Sequence, residues 1–306
     1  MIDLTSPIYQ DENKAREHLE AIRWPEGPFC PHCGEVEAIT KLQGKSTRPG
    51  VYKCRSCRKP FTVTVGTVFE RSKISLCKWL MATHLLCASK KGMSAHQLHR
   101  MLGVTYKTAW FMAHRIREAM REGSFTTPMG GAGKHVEADE TYIGGKAKNR
   151  AHRRGALPKK EAIVSLVERG GMVRSFHVKR VTAKELRKTI TFNVDPATTL
   201  QTDQWKGYRP VGRLLAQHEA VNHSVNEYVR GTAYTNTVEN YFSILKRGLY
   251  GTYQHVAKHH LKRYVGEFDF RYNTRTVTDA ERAHAALKGI EGKRLTYRRI
   301  GDGAYF

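Results

Sequence analysis

Two periodicities divide the chain. From residue 72 to 120, apolar positions recur three or four residues apart, the spacing of one helix face. Leu76, Trp79, Leu80, Thr83 and Cys87 fall this way in "ISLCKWLMATHLLCAS". In "GMSAHQLHRMLGVTYKTAWFMAHRIREAM", Ala95, Leu98, Met101 and Leu102 make one stripe and Ala109, Met112, Ala113 and Ile116 a second. Ser94 and Thr105 stand where helix N-caps are wanted, and Gly103 breaks the chain between them. Helix, short Gly turn, helix predicts a helix-turn-helix. Its second helix would turn Tyr106, Lys107, Trp110, His114 and Arg115 outward.

Beyond residue 133 the period falls to two. "HVEAD" alternates, so Glu137 and Asp139 share one face of a strand, with Val136 and Ala138 on the other. "EAIVSLVERGGMVRSFHVKRV" reads as two strands joined at Gly170-Gly171, a hairpin. Thr182 and Glu185 open a helix as a capping box. "TTLQTDQWKGY" is a strand ending at Asp203, and "HEAVNHS" a further short strand. "TNTVENYFSILKRGL" is a helix striped by Val238, Tyr241, Phe242 and Leu245, with Glu239, Ser243 and Lys246 on a neighbouring polar face. A late helix buries Leu261, Tyr264, Val265 and Phe268, leaving Glu267 and Asp269 to pair with Arg271 or Arg263. This order predicts a mixed α/β fold with an antiparallel hairpin in its sheet. The expected domains are residues 1–70, holding an N-terminal segment and a cysteine ribbon; 71–124, the helix-turn-helix; 134–280, the α/β domain; and 281–306, a basic tail left unassigned. "REGSFTTPMGGAG", residues 121–133, is the expected linker.

Four of the six cysteines change that picture. "FCPHCG" supplies Cys30 and Cys33, and "YKCRSCRK" supplies Cys54 and Cys57. Two C-x-x-C knuckles with twenty residues between them match a tetrahedral structural zinc site with no open position. Cys77 and Cys87 lie in an apolar helix and read as small core residues. No run of 18 apolar residues predicts a membrane helix. The first twenty residues lack the basic and apolar regions of a signal peptide, so a cytoplasmic location is expected.

Charge narrows the partner. The 306 residues hold 52 Lys plus Arg against 28 Asp plus Glu, a formal charge of +24. Such a surplus favours a polyanion, and nucleic acid above membrane, because binding releases the counterions of many phosphates. Residues 144–160, "GGKAKNRAHRRGALPKK", hold seven Lys or Arg and no acid. Lys146, Lys148, Arg150, Arg153 and Arg154 there, with Lys107 and Arg115, are the candidate DNA contacts.

Against this background the carboxylates stand out. Asp139 and Asp203 are expected on neighbouring strands, with Glu239 on a helix packed beside them. Three such groups repel and are costly to bury together. Mg²⁺ (or Mn²⁺) resolves the conflict, since it takes a few carboxylates plus phosphate oxygens. Glu137 and Glu140 are expected to be solvated or paired with Lys and Arg, with assistance to the metal as the alternative. Trp205 and Tyr208 are expected in the core, with stacking on an unpaired base as the alternative.

Thirty-five residues separate Asp203 from Glu239, and Lys246 follows Glu239 by seven. Through "ADETYIGGK", "TDQWKGY", "TNTVENYFSILKRGLYGTY" and "HLKRYVGEFDFRYNTR" the chain resembles the DDE insertion-sequence transposases with an N-terminal zinc ribbon, the ISXO-type group. That resemblance implies an RNase H-like catalytic domain and Mg²⁺-dependent cleavage and strand transfer at transposon inverted repeats. It matches Asp139, Asp203 and Glu239 to the acidic triad and Lys246 to the basic residue after it. In related groups the third position can be Asn or His, and Asn236 and Asn240 stand close to Glu239 here. It further implies a homodimer or larger assembly on double-stranded DNA. A DNA-binding regulator that no longer cuts and a structure-selective nuclease of the same fold are the alternatives.

Overall fold

The computed structural model describes residues 4–122, 127–144, 160–222, 225, 227 and 229–296. The chain forms two compact units, residues 1–121 with 277–306, and residues 122–276. Among the described residues no helix is long and apolar enough to cross a membrane.

The first unit begins with α1 (Glu12–Arg23), capped by the Asp11 carboxylate. A three-stranded antiparallel ribbon follows: β1 (Ile39–Lys41), β2 (Tyr52–Cys54) and β3 (Pro60–Phe61). It packs on α1 through Trp24, whose ring meets Tyr52 and Phe61 edge-on. Then come α2 (Leu76–Ala88), α3 (Ala95–Leu102) and α4 (Tyr106–Met120). Ser75 makes no side-chain cap on α2. Glu12 of α1 supplies one, accepting from the amides of Leu76 and Cys77 at 2.8 and 3.3 Å. Ser94 and Thr105 cap α3 and α4 as predicted, and Gly103 ends α3 at φ +58°, a left-handed conformation that glycine adopts without strain. Cys77 and Cys87 are buried in α2. Met101, placed in the apolar stripe of α3, is 49% exposed instead. In a helix of eight residues, Leu98 and Leu102 already fill the inward face.

The second unit is built on a five-stranded mixed sheet of order β6-β5-β4-β7-β8. Here β4 is His135–Ile143, β5 Glu161–Glu168, β6 Val173–Val178, β7 Thr199–Asp203 and β8 Gln217–Val221. β4, β5 and β6 pair antiparallel, whereas β4 with β7 and β7 with β8 pair parallel. β5, "EAIVSLVE", is buried over Ala162–Val167 because helices cover both sides of the sheet. On one side α5 (Ala183–Asn193) and the one-turn α6 (Arg209–Gly212) bring Leu186, Ile190 and Val211 against Val136, Ala138, Val164 and Leu200. A two-residue pair, β9 (Val229–Arg230) and β10 (Ala233–Tyr234), leads to the other side. There α7 (Asn236–Arg247) and α8 (Lys258–Asn273) set Val238, Tyr241, Leu245, Val265 and Phe268 against Ile163, Val167 and Val173. The mixed α/β order is the one predicted and is consistent with an RNase H-like fold. Thr182 accepts from the Glu185 amide, which is one half of the expected box.

Residues 127–133, placed in the linker, dock into the second unit. Met129 is buried in the α5 side of the core and exchanges backbone hydrogen bonds with Asn193 and Asp195. The sequence concealed this because one methionine among glycines has no periodicity to read.

The chain then returns to the first unit as α9 (Asp279–Lys288), which opens with a Thr278–Glu281 capping box and packs on α2. Residue 280, the far edge expected for the α/β domain, therefore lies inside a helix of the other unit. Beyond it Glu291 bridges to Thr67 and accepts from the buried Arg23, which also donates to the carbonyls of Val63 and Val65. Gly289 comes so close to α4 that a Cβ there would meet the Ala119 carbonyl oxygen at 2.2 Å. Backbone cannot yield as a side-chain tip can, so Gly289→Ala should cost about 1–3 kcal/mol as overpacking does. Urea unfolding followed at the tryptophans checks this; an unchanged midpoint would show that α9 does not hold α4 so tightly.

Candidate active site and metal centre

The four knuckle cysteines converge. Their sulfurs lie within 4.8 Å of one another, and among the described residues they are the group of three or more potential ligands that does so. Cys30 Sγ is 3.6 Å from Cys57 Sγ, and Cys33 Sγ is 3.7 Å from Cys54 Sγ. A tetrahedral zinc with bonds of about 2.3 Å spaces its sulfurs at about 3.8 Å, so this cage fits the ion. Glu35 ties the knuckles together. Its Oε1 accepts from the amides of Val36, Glu37 and Ala38, and its Oε2 from Ser56 Oγ at 2.6 Å. These donors, Ser56 foremost, hold the carboxyl down to about 2.

The three acidic residues fall on one side of the sheet in the second unit, although among the described residues their oxygens do not gather within 4.8 Å as the four sulfurs do. β4 and β7 run parallel, in register from His135↔Thr199 to Glu137↔Gln201. Continued by two residues, that register sets Asp139 level with Asp203. Pairing stops before them: β4 goes on with β5 alone, and β7 with β8. The two aspartates thus flank the opening where parallel strands part, the usual place for a site in a sheet of this kind. Glu239 comes from the first turn of α7, on the same side of the sheet.

The carboxylates feel one another's charge, with burial the larger effect. Burial pushes the Asp139 carboxyl up to about 7, against the pull of the Glu140 amide that donates to it at 2.7 Å. The charges of Glu140, Asp203 and Glu239 push it the same way. Among the described residues no Lys or Arg forms an ion pair with Asp139 or Asp203. Asp203 accepts from the Trp205 amide at 3.0 Å, and Glu239 from Thr235 Oγ1 at 3.1 Å. Oxygen donors, shared repulsion and partial exposure suit a hard divalent cation such as Mg²⁺ better than a thiophilic metal.

The surroundings depart from expectation in several places. Glu140 is not solvated; it accepts from the fully buried Tyr208 hydroxyl at 2.7 Å. Burial first, and Asp203 after the opposing Tyr208 bond, raise its carboxyl above the ordinary value. Glu137 is paired with an arginine as expected, Arg169 at 2.7 Å, but is wholly buried. Tyr208 is core as expected, but Trp205 is 37% exposed, its ring resting where Gly207 has no Cβ. Glu267 pairs with Arg271, whereas among the described residues no arginine pairs with Asp269. Asp269 accepts from the Ser175 amide at 2.9 Å, from Ser175 Oγ at 2.7 Å, and from the Tyr241 hydroxyl. Burial still pushes it up to about 7. Ser175 also bonds Ser165, the β5 partner of Asp139, at 2.8 Å.

The candidate DNA contacts divide. Lys107 is exposed in the first turn of α4. Arg115 is not outward. It is buried, its guanidinium donating to the carbonyls of Glu70 and Leu295, and His114 beside it is buried as well. A chain segment 180 residues away covers that flank of α4, which helix periodicity could not reveal. Lys146, Lys148, Arg150, Arg153 and Arg154 lie outside the described residues. Lys246 is half-buried on α7, about 10 Å along the axis from Glu239 at 1.5 Å per residue.

Comparison with known proteins finds one matching domain in each unit. The ISXO2-like transposase domain matches residues 130–273, and the transposase zinc-ribbon domain matches residues 10–60. A protein of Halobacterium salinarum described as an uncharacterized protein in transposable element ISH50 is 28% identical over 278 residues, 86% of this chain and 91% of its own. A chain in the cryo-EM structure of the simian T-cell lymphotropic virus intasome with PP2A regulatory subunit B56 gamma aligns over 60% of this chain and 66% of its own. Identity is 16% and the TM-score 0.29.

Proposed function

The chain belongs to the ISXO2-like transposase family, and from that membership we propose that it cuts DNA at the inverted repeats of its element and joins the freed ends to target DNA. One observation carries the catalytic reading: Asp139 lies within the fields of Asp203 and Glu239, at the opening between two parallel strands. These three carboxylates would hold Mg²⁺ or Mn²⁺, which supplies activation of the attacking oxygen and neutralisation of the charge at phosphorus. Cutting uses water and joining uses the freed 3′ hydroxyl; both are in-line displacements, so one set of residues serves both. Lys246 would steady a phosphate arriving along α7. Tyr208 donates to Glu140 and would fix that neighbouring carboxylate.

Recognition falls to the first unit. The zinc ribbon and the α3–α4 pair would read the repeats, with Lys107 on the backbone. The basic segment at residues 144–160 would grip the phosphates near Asp139. Two ends must be brought together, so at least two copies would act on one DNA, in the cytoplasm where chromosome and element are both accessible.

The test is a Mg²⁺ assay with the full chain and DNA carrying both element ends. End-specific cleavage followed by joining to a second DNA is expected. Sequence-specific binding with no cleavage would instead make it a regulator. Cleavage of branched DNA without end specificity or joining would make it a structure-selective nuclease.

A further inference from the structure

Helix α7 begins without a cap of its own. The first-turn amides of a helix need acceptors, and the N-cap side chain usually supplies one. Thr235 does not; its hydroxyl is given to Glu239. The acceptor comes instead from across the sheet. Glu137 Oε2 accepts from the amides of Thr237 and Val238 at 2.8 and 3.0 Å. Its Oε1 accepts from Thr237 Oγ1 at 2.8 Å and from Arg169 Nε at 2.7 Å. The other two Arg169 nitrogens donate to the carbonyls of Thr232 and Tyr234, both at 2.8 Å, and the guanidinium lies 3.4 Å from the centre of the Tyr234 ring.

Resting on the reading of Asp139, Asp203 and Glu239 as one metal-holding set, we propose that Glu137 and Arg169 are positioning residues that lock the helix bearing Glu239 to the strand bearing Asp139. Glu137 stands two residues before Asp139 on the same strand face, and its amide partner Val238 stands immediately before Glu239. The span between the two metal-side carboxylates therefore runs through one side chain. Four donors, two of them helix amides at the positive end of the dipole, make that link charge-assisted and directional. Arg169 fixes the chain entering the helix, so the first turn can neither slide nor lift. The apolar stripe of Val238, Tyr241, Phe242 and Leu245 holds α7 to the sheet by itself, but packing of that kind does not set the position of a carboxylate to a fraction of an ångström. Losing the clamp is expected to loosen the metal site more than the fold.

The experiment uses the full chain with Glu137→Gln, Thr237→Val, Thr237→Ser and, as reference, Asp139→Asn. Mn²⁺ binding is read without DNA from the electron spin resonance of the free ion, and cleavage of end-bearing DNA is read against Mg²⁺ concentration. Amide hydrogen exchange at Thr237 and Val238 reports the clamp directly. Glu137→Gln is expected to weaken Mn²⁺ binding and raise the Mg²⁺ midpoint by about ten- to a hundredfold, as loss of a supporting partner does. Exchange at the two amides should quicken while DNA-end binding stays the same. Thr237→Val should move the same readouts less, and Thr237→Ser should restore them. Wild-type metal binding and midpoint in Glu137→Gln, with Asp139→Asn inactive, would overturn the clamp and leave the acidic triad standing. Should Glu137→Gln not fold, an unmoved midpoint in Thr237→Val would overturn it equally. Full cleavage and Mn²⁺ binding in Asp139→Asn would remove the triad reading, and the clamp's purpose with it, even if the amides quicken.

Discussion

Replacing Asp139 or Asp203 with asparagine is expected to abolish end cleavage while binding to the inverted repeats persists. Asparagine keeps the shape of the side chain and removes the charge a divalent ion needs. A bound metal supplies several kcal/mol of charge stabilisation in the transition state. At 1.36 kcal/mol per factor of ten, its loss lowers the rate on the order of a thousandfold or more. The fold should not suffer, because Asp139 sits among the like charges of Glu140, Asp203 and Glu239 and gains nothing from ion pairing. Mg²⁺ should therefore raise the melting temperature of the wild type and leave that of Asp139→Asn where it was. Gel shift on the repeats, cleavage on the same DNA and a thermal melt with and without Mg²⁺ check this. Cleavage within about tenfold of wild type in both variants would show that the chemistry is housed elsewhere.

Serine at Cys54 is expected to have the second large effect, on recognition and not on chemistry. The ribbon has three short strands, and its aromatic cluster of Trp24, Tyr52 and Phe61 is small. Metal binding at such a site contributes about 10–16 kcal/mol, which for a domain of this kind is the folding energy itself. Cys54→Ser, like a chelator, should release the zinc, unfold residues 30–61 and reduce repeat binding toward the non-specific level, about a thousandfold weaker or more. The second unit has its own sheet and two apolar cores, so its melting transition should survive. Atomic absorption for zinc, a gel shift and a two-transition melt would read these three effects. Zinc retained in stoichiometric amount by Cys54→Ser would rule out the four-sulfur cage.

Some side-chain roles could not be read along the chain because their partners are remote. Glu137 and Thr237 are 100 residues apart, and Arg282 donates to the Cys87 carbonyl, 195 residues away. Helix period placed Arg115 on an outward face, and the structure buries it. The later segment that covers it turns a candidate DNA contact into a buried strut. Asp269 was expected to pair with Arg271 or Arg263, but these stand two residues after and six before it, and helix spacing brings an arginine only to Glu267. The sheet beneath offered it Ser175 and Tyr241 instead.

What the sequence determined alone is what local repetition and covalent chemistry can encode. Strand and helix periods, the caps at Ser94 and Thr105, the knuckle spacing of the four cysteines and the order of Asp139, Asp203 and Glu239 all depend on neighbours within a few residues or on side-chain identity. Tertiary structure decided which charged groups are buried and what compensates them: Glu137 as the cap of a distant helix, Arg169 as its counter-ion, Glu140 held by Tyr208, and α9 returned to the first unit. The reason is physical. A charge is kept out of water only where enough donors or acceptors surround it, and those come from segments that become neighbours only once the chain has folded.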